Sequence, residues 1–126
     1  MGWGKIIVLT CKCGFKTSRA KVGHLLAHES LSNGFTVIEA TYDSANRRII
    51  EHTITLPANL EDRLDREPTQ QDEDAVNTWF DDQRRIIRTN HGRILEAPED
   101  KETTAFQCPE CRVSNLVLAT VGNWIA

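Results

Sequence analysis

Apolar and polar positions change period several times along the chain, and each change predicts an element. Residues 5–10 form a β-branched apolar run and predict a strand. Residues 17–30 read at the helical period. At 100° per residue Val22, Leu25 and Leu26 share one face, and Ser32-Asn33-Gly34 supplies a stop with glycine in the left-handed position. Residues 35–42 and 47–56 then alternate at period two around Asp43-Ser44-Ala45-Asn46, which predicts a hairpin. On its second arm Ile50, His52, Ile54 and Leu56 fall on the more apolar side.

The stretch 57–74 is polar and acidic, with room for a short helical piece over 59–66 ahead of Pro68. From 72 to about 89 the helical period is strongest, with Val76, Trp79, Phe80, Gln83, Ile86 and Ile87 in one stripe. Asp72, Glu73 and Asp74 crowd its first turn and Arg84, Arg85 and Arg88 its last, as the helix dipole favours. Residues 93–97 predict a short strand, 98–104 a charged loop and 116–121 a final strand.

Composition changes this picture in two ways. At 126 residues the chain is sized for one domain spanning 1–126, but with only 6% aromatics its core is thin and a metal clamp would support it. The net charge of −3 hides an uneven distribution. Lys5, Lys12, Lys16, Arg19 and Lys21 lie in a start free of acids, while the second half is acidic. No targeting segment is visible, and the apolar runs are too short for a signal core or a membrane span. The expectation is a cytoplasmic protein without a membrane partner, in a compartment where cysteines ligate metals rather than form disulfides.

All four cysteines fall in two tight pairs, Cys11-Lys12-Cys13-Gly14 and Cys108-Pro109-Glu110-Cys111. Four thiolates on two short turns are what a structural zinc ion requires: soft ligands, tetrahedral geometry and no open position. Iron suits the same cage chemically, though a rubredoxin-like carrier would show two longer loops. A Cys2His2 site using His24 and His28 fails on both spacings and would orphan Cys108 and Cys111. In Cys11, Cys13, Gly14, Cys108, Pro109 and Cys111 the chain resembles the zinc-ribbon group, in which two cysteine knuckles on separate hairpins hold one zinc. It departs in the single residue between Cys11 and Cys13, in Arg112 where glycine is usual, and in the long 14–107 insertion. The resemblance implies zinc and a local fold, and carries no catalytic residue. The expected class is α+β: a zinc-ribbon-like β core clasping the N- and C-terminal strands, with an inserted helix, β-hairpin and second helix.

Catalytic patterns are absent: no HExxH, no deaminase His-x-Glu with Pro-Cys-x-x-Cys, no phosphate-cradling glycine loop and no nucleophile elbow. His52 and Asn90-His91 are the candidates for an HNH-like nuclease, in poor order. The leading expectation is a non-catalytic zinc module acting through protein–protein interaction or regulation, with Asp72, Glu73 and Asp74 as the contact. The alternative is nucleic-acid binding by a basic N-terminal helix through Lys12, Lys16, Arg19, Lys21, His24 and His28. Trp3 and Trp124 are set either to cap the core or to anchor an interface.

Overall fold

In a computed structural model of the protein, residues 2–26, 35–65 and 67–126 are described. Six strands and two helices follow in the order β1 (Gly2–Thr10), β2 (Ala20–Leu26), β3 (Phe35–Asp43), β4 (Arg48–Thr55), α1 (Ala58–Leu64), α2 (Gln70–His91), β5 (Lys101–Gln107) and β6 (Asn115–Ile125). All six strands belong to one antiparallel sheet, ordered β4-β3-β2-β1-β6-β5. The β-branched run of β1 lies near its middle, paired with β2 on one side and β6 on the other, so Ile7 and Leu9 are fully buried. No helix among the described residues is long and apolar enough to cross a membrane.

The helix expected over 17–30 is not formed in its described part; Ala20–Leu26 is β2 instead. Residues 27–30, His28 among them, lie outside the described residues. Six register pairs with β1, from Gly2↔Leu25 to Ile7↔Ala20, give this segment its backbone hydrogen bonds. Gly23 sits at φ 149°, a value foreign to a helix. The apolar spacing of Val22, Leu25 and Leu26 was compatible with a helix, but a short segment of modest propensity yields to neighbouring strands that satisfy its N–H and C=O groups. The inserted elements therefore extend the sheet that the terminal strands begin.

The hairpin forms in the expected place, with eight register pairs from Thr36↔Thr55 to Asp43↔Arg48. Asp43 closes its turn by accepting from the backbone N–H groups of Ala45 and Asn46 and from the Asn46 amide. The long helix is α2, whose start is fixed by a capping box between Thr69 and Asp72. Val76, Phe80 and Ile87 of its stripe are buried against Val37, Ile54 and Leu56, while Ile86 is half-exposed. The helix thus packs on β3 and β4.

Near the C-terminus the charged stretch expected to be a loop is partly strand. Lys101, Glu102 and Thr103 pair with Ala119, Leu118 and Val117. An edge strand tolerates such charges because one margin faces solvent, and charge there discourages edge-to-edge association. Residues 93–97 supply only a bridge, Ile94 to Thr41, with the Leu95 N–H donating to the Ala40 carbonyl at 2.7 Å.

The two tryptophans part company. Trp124 is buried over Gly2 and Gly4, its Nε1–H donating to the Val22 carbonyl at 3.0 Å. A Cβ on Gly4 would collide with that carbonyl and with the indole. Trp3 remains 47% exposed.

Candidate metal centre

The sheet order explains how cysteines from both ends meet. β1 runs into the first knuckle and β2 leads away from it; β5 runs into the second and β6 leads away. Because β1 and β6 are antiparallel neighbours, with Thr10 opposite Val117, both knuckles project from the same end of the sheet.

Each knuckle is built by local hydrogen bonds. In the first, the Cys11 N–H donates to the Phe15 carbonyl and the Gly14 N–H to the Cys11 carbonyl. Gly14 sits at φ 104°, where a side chain would be strained. In the second, the Cys108 N–H donates to the Ser114 carbonyl and the Arg112 N–H to the Cys108 carbonyl. Arg112 takes φ 58°, so it adopts the left-handed conformation for which glycine is the usual choice.

The four sulfur atoms lie within 4.8 Å of one another. Cys11 Sγ is 3.7 Å from Cys111 Sγ, and Cys13 Sγ is 3.6 Å from Cys108 Sγ. These separations exclude disulfides, whose S–S bond is about 2.05 Å. They match the edge of a thiolate tetrahedron, which for a metal–sulfur bond of about 2.3 Å is about 3.8 Å. The donor set is soft, complete and closed. Cys108 and Cys11 are buried as part of the main core with Ile7, Leu9, Leu116 and Leu118; Cys111 is half-buried and Cys13 exposed.

The electrostatics suit a cation. Cys111 is pulled down to about 6, chiefly by the backbone N–H groups of Ser114 and Val113. For Cys108, burial disfavours the thiolate, but the N–H groups of Cys111 and Glu110 outweigh it and hold the thiol below its ordinary value. At Cys11 the Cys13 N–H favours the thiolate, yet burial and the surrounding cysteine sulfurs together push it up to about 12. Backbone donors thus prepare the cage for negative charge, but crowding keeps its last protons bound. A divalent ion would displace them.

Around the centre, the Tyr42 ring packs edge-on against Phe106 at 5.1 Å. Burial first, and then the charge of nearby Cys108, raises the Tyr42 phenol. Arg47, in the β3–β4 turn, reaches Glu110 of the second knuckle at 3.4 Å. Neither Tyr42 nor Arg47 stood out in the sequence, because only the sheet brings that hairpin to the cysteines.

The other candidate residues are dispersed. Lys21 and His24 lie three apart on a strand and so face opposite sides. Thr17 is buried, its Oγ1 accepting from the Leu9 N–H. His24 stacks between Trp3 and Phe35, at 5.6 and 5.7 Å. Lys12, Lys16 and Arg19 remain exposed beside the first knuckle. Asp72 is occupied by the Thr69 cap and by Arg63 at 2.9 Å, and Asp74 by the Gln70 amide; Glu73 lines a cleft of about 430 Å³ between β3 and α2. His52 and His91 do meet, with ring centroids 4.6 Å apart, but His52 Nε2 is engaged with Thr41 Oγ1 at 2.8 Å. Among the described residues only the cysteines gather three or more His, Cys, Asp or Glu ligand atoms within metal-holding distance.

Comparison with protein-family models, with curated proteins and with solved structures gives no match. Fold and site together are consistent with a small metal-binding domain, an antiparallel sheet with two helices carrying four cysteines at metal-binding distance.

Proposed function

We propose that this chain is a non-catalytic binding module whose two knuckles are clasped by one structural zinc ion, in the manner of a zinc ribbon built into a larger sheet. The observation that carries the reading is the sulfur tetrahedron with edges of 3.6 and 3.7 Å, assembled from both ends of the chain. Four protein thiolates leave no position for a substrate or an activated water, which separates a structural zinc site from a catalytic one. Zinc is preferred because it has no redox chemistry of its own and suits a closed tetrathiolate held by backbone N–H donors. Its role is to hold the β1–β2 and β5–β6 hairpins together where the thin core ends.

Metal analysis of the purified chain tests this. About one zinc per chain is expected, with the Cys108→Ser variant losing the metal and unfolding at a lower midpoint. Retention of stoichiometric metal and full stability by that variant would falsify the four-cysteine site. A tetrathiolate spectrum on cobalt substitution checks the ligand set independently of folding.

A further inference from the structure

The knuckle end of the sheet gathers positive charge from segments far apart in sequence. Lys12 and Lys16 belong to the first knuckle, Arg19 to the chain entering β2, Arg47 to the β3–β4 turn, Arg48 to the start of β4, and Arg112 to the second knuckle. The close approach of Cys11 to Cys111 and of Arg47 to Glu110 brings these segments to one end. Lys12, Lys16, Arg19 and Arg112 make no ion pair among the described residues. Arg47 pairs with exposed Glu110 at 3.4 Å, a surface pair of the kind that exchanges readily for a stronger anion, and Arg48 lies 3.8 Å from the half-buried Asp43 of the hairpin turn. Against six cations the same segments carry the carboxylates Asp43, Glu51 and Glu110. The cations outnumber these and the double negative charge of a divalent tetrathiolate combined. In a chain of net charge −3 the excess is local.

The patch is also shaped. Arg19 and Arg48 line a cleft of about 440 Å³ with Ala20, Ile49, Ile50 and Glu51. That volume suits a small group of ligand size. Its cationic rim offers a site for a phosphate, with an aliphatic wall of Ala20, Ile49 and Ile50 beside it. A membrane surface would need exposed apolar anchors beside the cations. Among the described residues only Val113 of the second knuckle provides one here, while Trp3, Leu25 and Ile125 are exposed at the opposite end of the sheet.

We infer that this surface binds the phosphate backbone of single-stranded nucleic acid, with Arg19 and Arg48 flanking one nucleotide and Lys12, Lys16, Arg47 and Arg112 gripping its neighbours. The inference rests on the metal-clasp reading, because the metal holds the two knuckles in one surface. Contacts to phosphate carry little sequence preference and strong salt dependence.

Fluorescence anisotropy with the metal-loaded chain and a labelled, mixed-sequence RNA strand of about 20 nucleotides tests it. Binding is expected with a Kd of about 1–100 μM at physiological salt, and a log–log salt slope of about −2 to −3 for three or four phosphates. The variant Lys16→Glu/Arg19→Glu/Arg48→Glu should bind at least about tenfold more weakly. The charge-matched control Arg85→Glu/Arg88→Glu/Lys101→Glu, all exposed and away from the knuckles, should bind like wild type. Absence of binding at about 50 mM salt overturns the inference, as does equal loss in both triple variants. Equal affinity for anionic vesicles or a poly-glutamate peptide overturns it too. Metal content measured on the same samples keeps the tests apart: a zinc-loaded, folded protein that ignores RNA sinks this inference and leaves the clasp standing.

Discussion

Cys13 and Cys108 bring their sulfur atoms to 3.6 Å across 95 positions of sequence. One is exposed and the other fully buried. Their substitution is therefore unequal. Cys13→Ser and Cys108→Ser should both weaken metal binding, but Cys108→Ser also leaves a hydroxyl in the core, for a further loss of about 1–3 kcal/mol. Thermal unfolding with and without a chelator checks this. Chelator should lower the midpoint of the wild type markedly and that of Cys108→Ser little.

Arg112 holds a left-handed conformation at φ 58° in the second knuckle. A non-glycine residue there costs about 1–2 kcal/mol, part of which glycine returns through its more flexible unfolded chain. Arg112→Gly should accordingly stabilise the metal-loaded protein by about 0.5–1 kcal/mol in urea denaturation. A fall in the midpoint would show that the arginine side chain makes a contact worth more than the strain.

Gly4 and Gly23 are register partners, and Gly4 lies beneath the Trp124 indole. Gly4→Ala places a methyl group against the Val22 carbonyl and the indole, and Gly23→Ala adds one to a residue at φ 149° against the Trp3 carbonyl. Each should destabilise by more than about 2 kcal/mol, since backbone atoms cannot yield as a flexible side chain would. Tryptophan fluorescence during denaturation reports both.

Thr69 caps α2 and exchanges hydrogen bonds with Asp72. Thr69→Ala removes the side-chain acceptor and should cost about 1 kcal/mol, read as a shift in the urea midpoint without a change of slope. A neutral result would show that the Arg63–Asp72 bond at 2.9 Å holds the helix start without the cap.

His52 is held below the ordinary histidine value, first by burial and then by the charge of His91. The unfolded chain therefore takes up this proton at a higher pH than the folded one. Stability should be full above the unfolded value of about 6.5, fall as pH drops through it, and level off below the folded value. His91→Asn removes the like charge and should make the fall shallower. Equal slopes for the two proteins in pH-dependent unfolding would mean that the thiolates alone account for acid lability.

How much of this was legible in the sequence depended on how far each element reaches for its partners. α2 and the β3–β4 hairpin were visible because their signals are local: a stripe with charged ends, and alternation around an Asp43-to-Asn46 turn. β2 was not, since seven residues with Val22 and Leu25 suitably spaced satisfy either period. The hydrogen-bonding edges of β1 and β3 decided between them. β5 was hidden for a related reason, as a charged edge strand looks like a loop until its neighbour is known.

By itself the sequence marked the four cysteines as one candidate metal-binding set, because two tight thiol pairs and no other cysteine suit a closed tetrahedron. The tertiary structure decided which groups share the ligands' end of the sheet. Arg47, Arg48 and Arg112 join Lys12, Lys16 and Arg19 because antiparallel pairing of β1 with β6 brings the two knuckles together, and because the β3–β4 turn reaches Glu110. His24 was drawn instead into an aromatic stack with Trp3 and Phe35. Ligand chemistry is written in residue type and short spacing. A surface composed from four separate segments exists only once non-local strand pairing has placed them side by side.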